Sequence, residues 1–187
     1  MHDLRKSRKL HIFCCLIHRP PLARYFGQLH SIARRCQNLA MPDIIFEKRA
    51  GKYDAMLVLK GDAWEATDCP KQAPIPHDMF HYAVETVLAR RGFMHRRAEG
   101  EGAGFRMGTT VEGEGVERLV ETMQADCWSG RPDAAEVIDL FHTACAARGD
   151  EPFPLTRDDI QAIREAIDDL AARWAAVPPG GNLVLKL

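Results

Sequence analysis

A connector that carries two prolines, residues 71–76, divides this chain into a part that favours strands and a part that favours helices. Pro74 and Pro76 lack the backbone N–H that a helix interior needs, and each disfavours helical conformation in the residue before it. Strand-forming sequence therefore has to end before the connector, and the next helix has to begin directly after it. We expect a small sheet and a helical layer on the two sides of this point.

Short strands are predicted on both sides of the helical part. Before the connector, two-residue turns that contain glycine separate three segments rich in strand-forming residues, at 44–49, 53–60 and 64–68. Turns this short join neighbouring strands into an antiparallel meander. At the C-terminal end, residues 183–187 predict one further strand, which we expect to pair with the meander.

Between the connector and the last strand, apolar residues recur at helical spacing. Four helices are predicted, at about 77–91, 117–128, 134–148 and 157–176, with one further short turn of helix at 93–98. Residues 99–115 are rich in glycine and glutamate and predict a loop. The fold class that follows is α+β: a small antiparallel sheet, made of the N-terminal meander and the C-terminal strand, packed with about four helices.

Capping residues mark the ends of the last two helices. Asp133 is a candidate N-cap of the third helix, and Gly149 is placed to end it. Thr156 has Asp159 three residues later, which is the spacing of a capping box, with aspartate in place of the usual glutamate or glutamine. We therefore expect the last helix to begin directly after Thr156.

Charge is distributed unevenly along the chain. Residues 1–40 carry eight lysines and arginines and one acid, whereas the rest of the chain carries 17 basic and 25 acidic residues. We expect residues 1–40 to be a basic N-terminal extension that is disordered or not part of the native fold, and residues 41–187 to form a single α+β domain. Because the domain is acidic, neither nucleic acid nor an anionic membrane is expected as a partner.

The six cysteines indicate neither a disulfide framework nor a zinc–thiolate site. No two of them form a Cys-x-x-Cys pair, so we expect reduced thiols in a protein of the cytoplasm. Nucleophilic Cys–His pairs are conceivable for Cys69 with His77 and for Cys145 with His142, although no local signature supports either.

The residues with the clearest chemistry lie at the start of the first predicted helix. His77, His81 and Glu85 recur every four residues and therefore share one helical face. Imidazole and carboxylate are preferred ligands of zinc and other divalent metals, and two histidines one turn apart can reach a single ion. The pattern predicts that His77 and His81 bind a metal, most suitably zinc, with Glu85 as a third ligand or a catalytic base. Asp78, rotated away from that line, is expected to orient a ligand or to act as a base.

Further ligands have to come from elsewhere in the chain. His142, on the third predicted helix with Asp139 three residues before it, is a candidate metal ligand or an ordinary histidine at the edge of the core. Glu117 and Glu121 are one turn apart on the second predicted helix, where like charges repel unless a cation or a basic group lies nearby. An ordinary solvated helix face also accounts for these two glutamates.

The histidine-rich stretch has a structural interpretation as well. A buried polar network of His77, Asp78, His81 and Glu85 would fix the helix on the sheet without any metal. The domain would then be a non-catalytic interaction module, whose acidic helical surface binds another protein.

Four segments resemble those of a family of small bacterial proteins to which no activity is assigned. They are Phe-Glu-Lys-Arg at 46–49, Pro-His-Asp-Met-Phe-His-Tyr-Ala-Val-Glu at 76–85, Arg-Gly-Phe at 91–93, and 174–181 leading into the last strand. The resemblance covers nearly all of 41–187 and implies a common fold.

The start of the first predicted helix also resembles the HDxxH zinc motif of ubiquinone-biosynthesis proteins. In that motif, eleven residues and then a glutamate follow the second histidine. His77, Asp78 and His81 match, but Phe93 occupies the place of that glutamate.

Taken with the absence of any run of 18 apolar residues, the patterns predict a soluble protein that binds a divalent metal. The resemblance implies that it is bacterial. A metal-bound water would make it a hydrolase or a lyase. Its partner would be a small-molecule substrate, or another protein if the histidine-rich stretch is structural.

Overall fold

The computed structural model describes residues 43–100 and 110–187 of the chain. The expectations for residues 1–40 concern a segment outside these described residues. Within them, no helix combines the length and the apolar character that crossing a lipid bilayer requires.

A four-stranded antiparallel sheet forms from the described residues. Its strands are β1 (Asp43–Glu47), β2 (Tyr53–Lys60), β3 (Ala63–Pro70) and β4 (Asn182–Lys186), in the spatial order β3-β2-β1-β4. The first three strands form the predicted meander. The C-terminal strand β4 pairs with β1, with Ile44 opposite Leu185, so the two ends of the described fold meet in the sheet.

Five helices accompany this sheet in the described part of the chain. They are α1 (His77–Leu88), α2 (Phe93–Ala98), α3 (Val111–Trp128), α4 (Ala134–Arg148) and α5 (Arg157–Ala176). The predicted α+β fold is therefore confirmed. The predicted caps are present too: Asp133 accepts a hydrogen bond from the Ala135 N–H, and Thr156 forms a reciprocal capping box with Asp159.

Two helix boundaries differ from the predictions. Helix α1 ends at Leu88 rather than near residue 91, because Ala89 adopts a left-handed conformation with φ of 49° and closes the helix through its own N–H. Helix α3 begins at Val111, inside the predicted loop, and the Thr110 side chain caps it by accepting from the Gly113 N–H. Gly115 lies in the second turn of this helix, where packing leaves little room for a side chain. A Cβ atom on Gly115 would lie 3.1 Å from the Phe153 ring.

The hydrophobic core lies between one face of the sheet and the helices. Alternate residues of β1 and β2 contribute to it, namely Ile44, Phe46, Met56 and Val58. Helix α5 presents the apolar stripe that its spacing predicts, from Ile160 to Trp174. Helix α1 contacts both α3 and α5, so the histidine-bearing helix lies within the core.

Polar contacts fix the helices around α1. Arg164 of α5 donates two hydrogen bonds, of 3.0 and 2.6 Å, to the carboxylate of Asp126 on α3, and both side chains are buried. Lys48, just after β1, donates to the carbonyl oxygens of Trp174 and Val177 at the end of α5. These contacts hold α3 and the sheet in fixed positions relative to α5.

The capping box of α5 provides a test of this description. Replacing Thr156 by alanine removes the hydroxyl that accepts the Asp159 N–H at 3.1 Å, and we expect the free energy of unfolding to fall by about 1 kcal/mol. Urea denaturation measures this change. The control is Thr143→Ala, which removes an exposed mid-helix hydroxyl and should alter stability by less than about 0.5 kcal/mol. Equal effects of the two substitutions would contradict the capping role.

Candidate metal centre

Two histidine side chains come together at the start of α1. His77 is the first residue of the helix, directly after the proline connector, and His81 follows one turn later. Their ring centroids are 5.0 Å apart. The His81 side chain is only 2% exposed and the His77 side chain is 25% exposed, so the pair is reached from solvent on the His77 side.

Glu117, from the second turn of α3, completes the cluster. One potential ligand atom from each of His77, His81 and Glu117 lies within 4.8 Å of the others. The closest contact is between Nε2 of His81 and Oε2 of Glu117, at 3.4 Å. Among the described residues this is the one group of three or more histidine, cysteine, aspartate or glutamate side chains that is arranged to hold a metal ion.

The contact between His81 and Glu117 has the spacing of two metal ligands. The buried Oε2 atom of Glu117 has no hydrogen-bond partner among the described residues, even though the imidazole nitrogen is 3.4 Å away. Two ligands at zinc–nitrogen and zinc–oxygen distances of about 2.05 and 2.1 Å, at the tetrahedral angle, are separated by about 3.4 Å. This separation therefore matches that of two ligands of one tetrahedral ion, and the cluster could hold a metal.

Asp78 orients the other histidine. Its Oδ1 atom lies 3.2 Å from Nδ1 of His77. This hydrogen bond raises the pKa of His77; burial opposes the effect, and the nearby charges of Asp78, Glu117 and Glu121 reinforce it. With Nδ1 engaged by Asp78, the nitrogen that His77 can offer to a metal is Nε2. Asp78 thus occupies the position of an orienting carboxylate, outside the cluster of three ligands.

Glu85, expected from the sequence to be a third ligand or a base, lies outside the cluster as well. Its fully buried carboxylate accepts hydrogen bonds from the backbone N–H groups of Gly92, Met94 and His95, and it lies 2.8 Å from Nδ1 of the His95 ring. Burial alone would raise the pKa of Glu85, but His81, the Met94 N–H and the His95 ring together hold that pKa below its usual value. The carboxylate is therefore ionised at neutral pH and anchors the first turn of α2.

The remaining sequence candidates are apart from this centre. His142 lies on the exposed side of α4, beside the Phe141 ring, and does not belong to the cluster. Glu121 forms ion pairs with Arg118, at 3.0 Å, and with Arg148, at 3.6 Å. Glu117, by contrast, has His81 as its one ion-pair partner in the described part of the chain. Arginines therefore balance the charge of Glu121, whereas none is paired with Glu117 among the described residues.

A sequence signal for Glu117 existed but was weak. Glu114 lies three residues before it and Glu121 four residues after it, with no lysine or arginine one turn away in either direction. Such a position indicates that a positive charge from another element is required. Nothing in the local pattern says which element supplies it.

The cysteines that were considered as nucleophiles are unsuited to that role. Burial raises the pKa of the Cys69 thiol, and the charge of Asp78 beside it raises that pKa further. Burial also raises the pKa of Cys145. Both groups therefore remain thiols at neutral pH, whereas the nucleophilic form of cysteine is the thiolate. The three cysteines of the described residues are all free.

The arrangement offers two imidazole nitrogens and one carboxylate oxygen on the rim of the core. Three protein ligands of these types leave one position of a tetrahedral ion for water or a substrate, which is the ligand count of catalytic rather than structural zinc sites.

Comparison of the chain with known family models, curated proteins and solved structures finds no match. The resemblances drawn from the sequence therefore stay predictions.

Close packing beside Glu85 yields a second test. Gly92 has a φ of −121°, which any residue tolerates, but a Cβ atom there would lie 2.7 Å from the Glu85 carboxylate and 2.8 Å from Val116. We expect Gly92→Ala to reduce the free energy of unfolding by about 1–3 kcal/mol through overpacking, measured by urea denaturation. Gly113→Ala serves as the control, because its Cβ would meet only the Thr110 hydroxyl, at 3.0 Å. An unchanged free energy of unfolding in Gly92→Ala would contradict close packing of residue 92 against Glu85 and Val116.

Proposed function

We propose that this protein binds one divalent metal ion through His77, His81 and Glu117, and that the ion is zinc. The observation that carries the proposal is the 3.4 Å contact between His81 and a buried oxygen of Glu117 that has no hydrogen-bond partner among the described residues. A donor set of two imidazoles and one carboxylate suits zinc and similar transition metals better than magnesium or calcium, which prefer oxygen ligands alone. The site differs from the sequence prediction in its third ligand, which is Glu117 in place of Glu85.

The same geometry supports a metal-dependent hydrolase or lyase as the activity. A bound divalent ion would supply a polarised water or a polarised substrate oxygen at its open position. The protein's own contribution would be to hold the ligands: Asp78 fixes the ring of His77, and α3 brings Glu117 to the opposite side. Exposure of His77 leaves a path by which a small substrate can reach the centre. With free thiols throughout the described residues, we expect the protein to act in the reducing cytoplasm.

Metal content provides the direct test. We expect untagged protein, purified or reconstituted with zinc, to contain about one equivalent of metal, as three ligands on a folded scaffold imply. The variants His81→Ala and Glu117→Gln should each lose most of this zinc, measured by elemental analysis and by competition with a chromogenic chelator. Cobalt substitution should give the absorption bands of a four-coordinate nitrogen and oxygen site.

Two matched controls accompany these variants. His142→Ala removes an exposed histidine outside the cluster, and Glu121→Gln makes the same change as Glu117→Gln one turn further along α3. Both controls should keep nearly full metal content. Wild-type protein without stoichiometric metal after reconstitution, or equal losses in the controls, would refute the proposed site.

A second candidate function, a non-catalytic interaction module, is supported by Glu85. Its hydrogen bonds with three backbone N–H groups connect α1 with α2, which supports a structural role for part of the histidine-rich stretch. If the whole stretch is structural, the double substitution His77→Ala/His81→Ala should lower the melting temperature by several degrees, equally with and without zinc. If a metal is bound, zinc should raise the melting temperature of the wild type and leave that of the double variant unchanged. Thermal unfolding with and without zinc distinguishes the two functions.

A further inference from the structure

A second carboxylate faces the metal-binding pair from inside the core. Oε1 of Glu85 lies 3.7 Å from Nδ1 of His81, and both side chains are almost completely buried. The His81 Nδ1 atom has no hydrogen-bond partner among the described residues. Since a buried polar nitrogen rarely lacks a partner in a native protein, the carboxylate that faces it merits a functional explanation.

The Glu85 oxygen that faces His81, Oε1, can accept a further hydrogen bond. Oε2 accepts from the backbone N–H groups of Gly92 and His95 and lies 2.8 Å from the His95 ring nitrogen, so its lone pairs are in use. Among the described residues, Oε1 accepts a hydrogen bond from the Met94 N–H and from no other group. A carboxylate oxygen accommodates about two donors, so Oε1 can accept one more.

We propose that Glu85 is the positioning residue of the metal centre, acting through His81; this inference rests on the metal-binding function proposed above. An imidazole that binds a metal through Nε2 carries its proton on Nδ1. In His81 the Nδ1 atom lies 3.7 Å from Glu85 Oε1, the oxygen that can accept one more donor. A shift of less than 1 Å would turn the 3.7 Å separation into an ordinary hydrogen bond of about 2.9 Å.

The proposal gives the two histidines equivalent supports. Asp78 lies at Nδ1 of His77 and Glu85 lies at Nδ1 of His81, so both rings would offer Nε2 to the same ion. The two supports differ in their surroundings, because Asp78 is adjacent to the histidine that it orients, whereas Glu85 is held by the first turn of α2. Glu85 therefore connects the position of α2 with the orientation of a ligand. This connection gives the buried carboxylate beside His81 a role in the metal centre.

Zinc affinity in Glu85→Gln tests the proposal. The amide keeps the size of the side chain but loses the charge, and we expect zinc affinity to fall about 10–100-fold, as for other residues that hydrogen-bond to a metal ligand. Thr156→Ala is the control for destabilisation, because it weakens the fold at the start of α5 without contacting the centre. Its zinc affinity should equal that of the wild type. Affinity is measured by chelator competition on the folded proteins.

A spectroscopic signature separates positioning from general structural support. In zinc-loaded wild-type protein labelled with nitrogen-15, the His81 Nδ1–H proton should be protected from exchange and should resonate downfield of a free imidazole N–H proton. Burial of His81 alone explains slow exchange, whereas the downfield shift requires Glu85 to accept the proton. This measurement needs no variant, so it decides the question even if Glu85→Gln fails to fold. In Glu85→Gln that folds, the downfield shift should be lost and the absorption bands of the cobalt form should shift.

The possible outcomes distinguish a failure of the proposed metal binding from a failure of the positioning role of Glu85. Wild-type protein that takes up no zinc overturns the proposed function together with this inference. Protein that binds zinc through His81 but shows no downfield-shifted Nδ1–H proton overturns the inference alone. Unchanged zinc affinity in a folded Glu85→Gln variant also overturns the inference alone.

Discussion

Burial of α1 on nearly every side is the constraint on which the rest of the structure depends. The helix lies against α3 and α5 and also contacts α2 and β3. Seven of its residues are buried, and three of these are ionisable: Asp78, His81 and Glu85. Because burying a charge without a partner is strongly unfavourable, each group has to find its partner inside the protein. Helix α2 provides partners for Glu85, whereas Nδ1 of His81 has no hydrogen-bond partner among the described residues.

The partners come from different elements and use different chemistry. Glu85 is satisfied by the N–H groups that the start of α2 leaves free, as in ordinary helix capping. Asp78 is satisfied by the ring of His77. The Glu117 oxygen that faces His81 has no hydrogen bond, and no lysine or arginine pairs with it among the described residues. A divalent cation at that point would balance the excess of carboxylates around the two histidines.

Features governed by short-range geometry could be predicted from the sequence. The capping box at Thr156 and the N-cap at Asp133 each depend on contacts a few residues apart. The early start of α3 could not be predicted in the same way, since Gly113 and Gly115 disfavour a helix by their intrinsic propensity. Packing against Phe153 makes a small residue necessary at Gly115, and tertiary contacts outweigh that local preference.

The sequence by itself determined that His77 and His81 share one face of a helix that begins after a proline connector, because helical periodicity and proline geometry are local properties. Only the tertiary structure decided which carboxylate meets them. Glu85 satisfied the same spacing rule, yet the free N–H groups of α2 hold its side chain in the core. Glu117 arrives from a separate helix because α1 and α3 pack together. The physical reason is that periodicity gives a side chain its direction along a helix, whereas its partner depends on which elements pack against that helix.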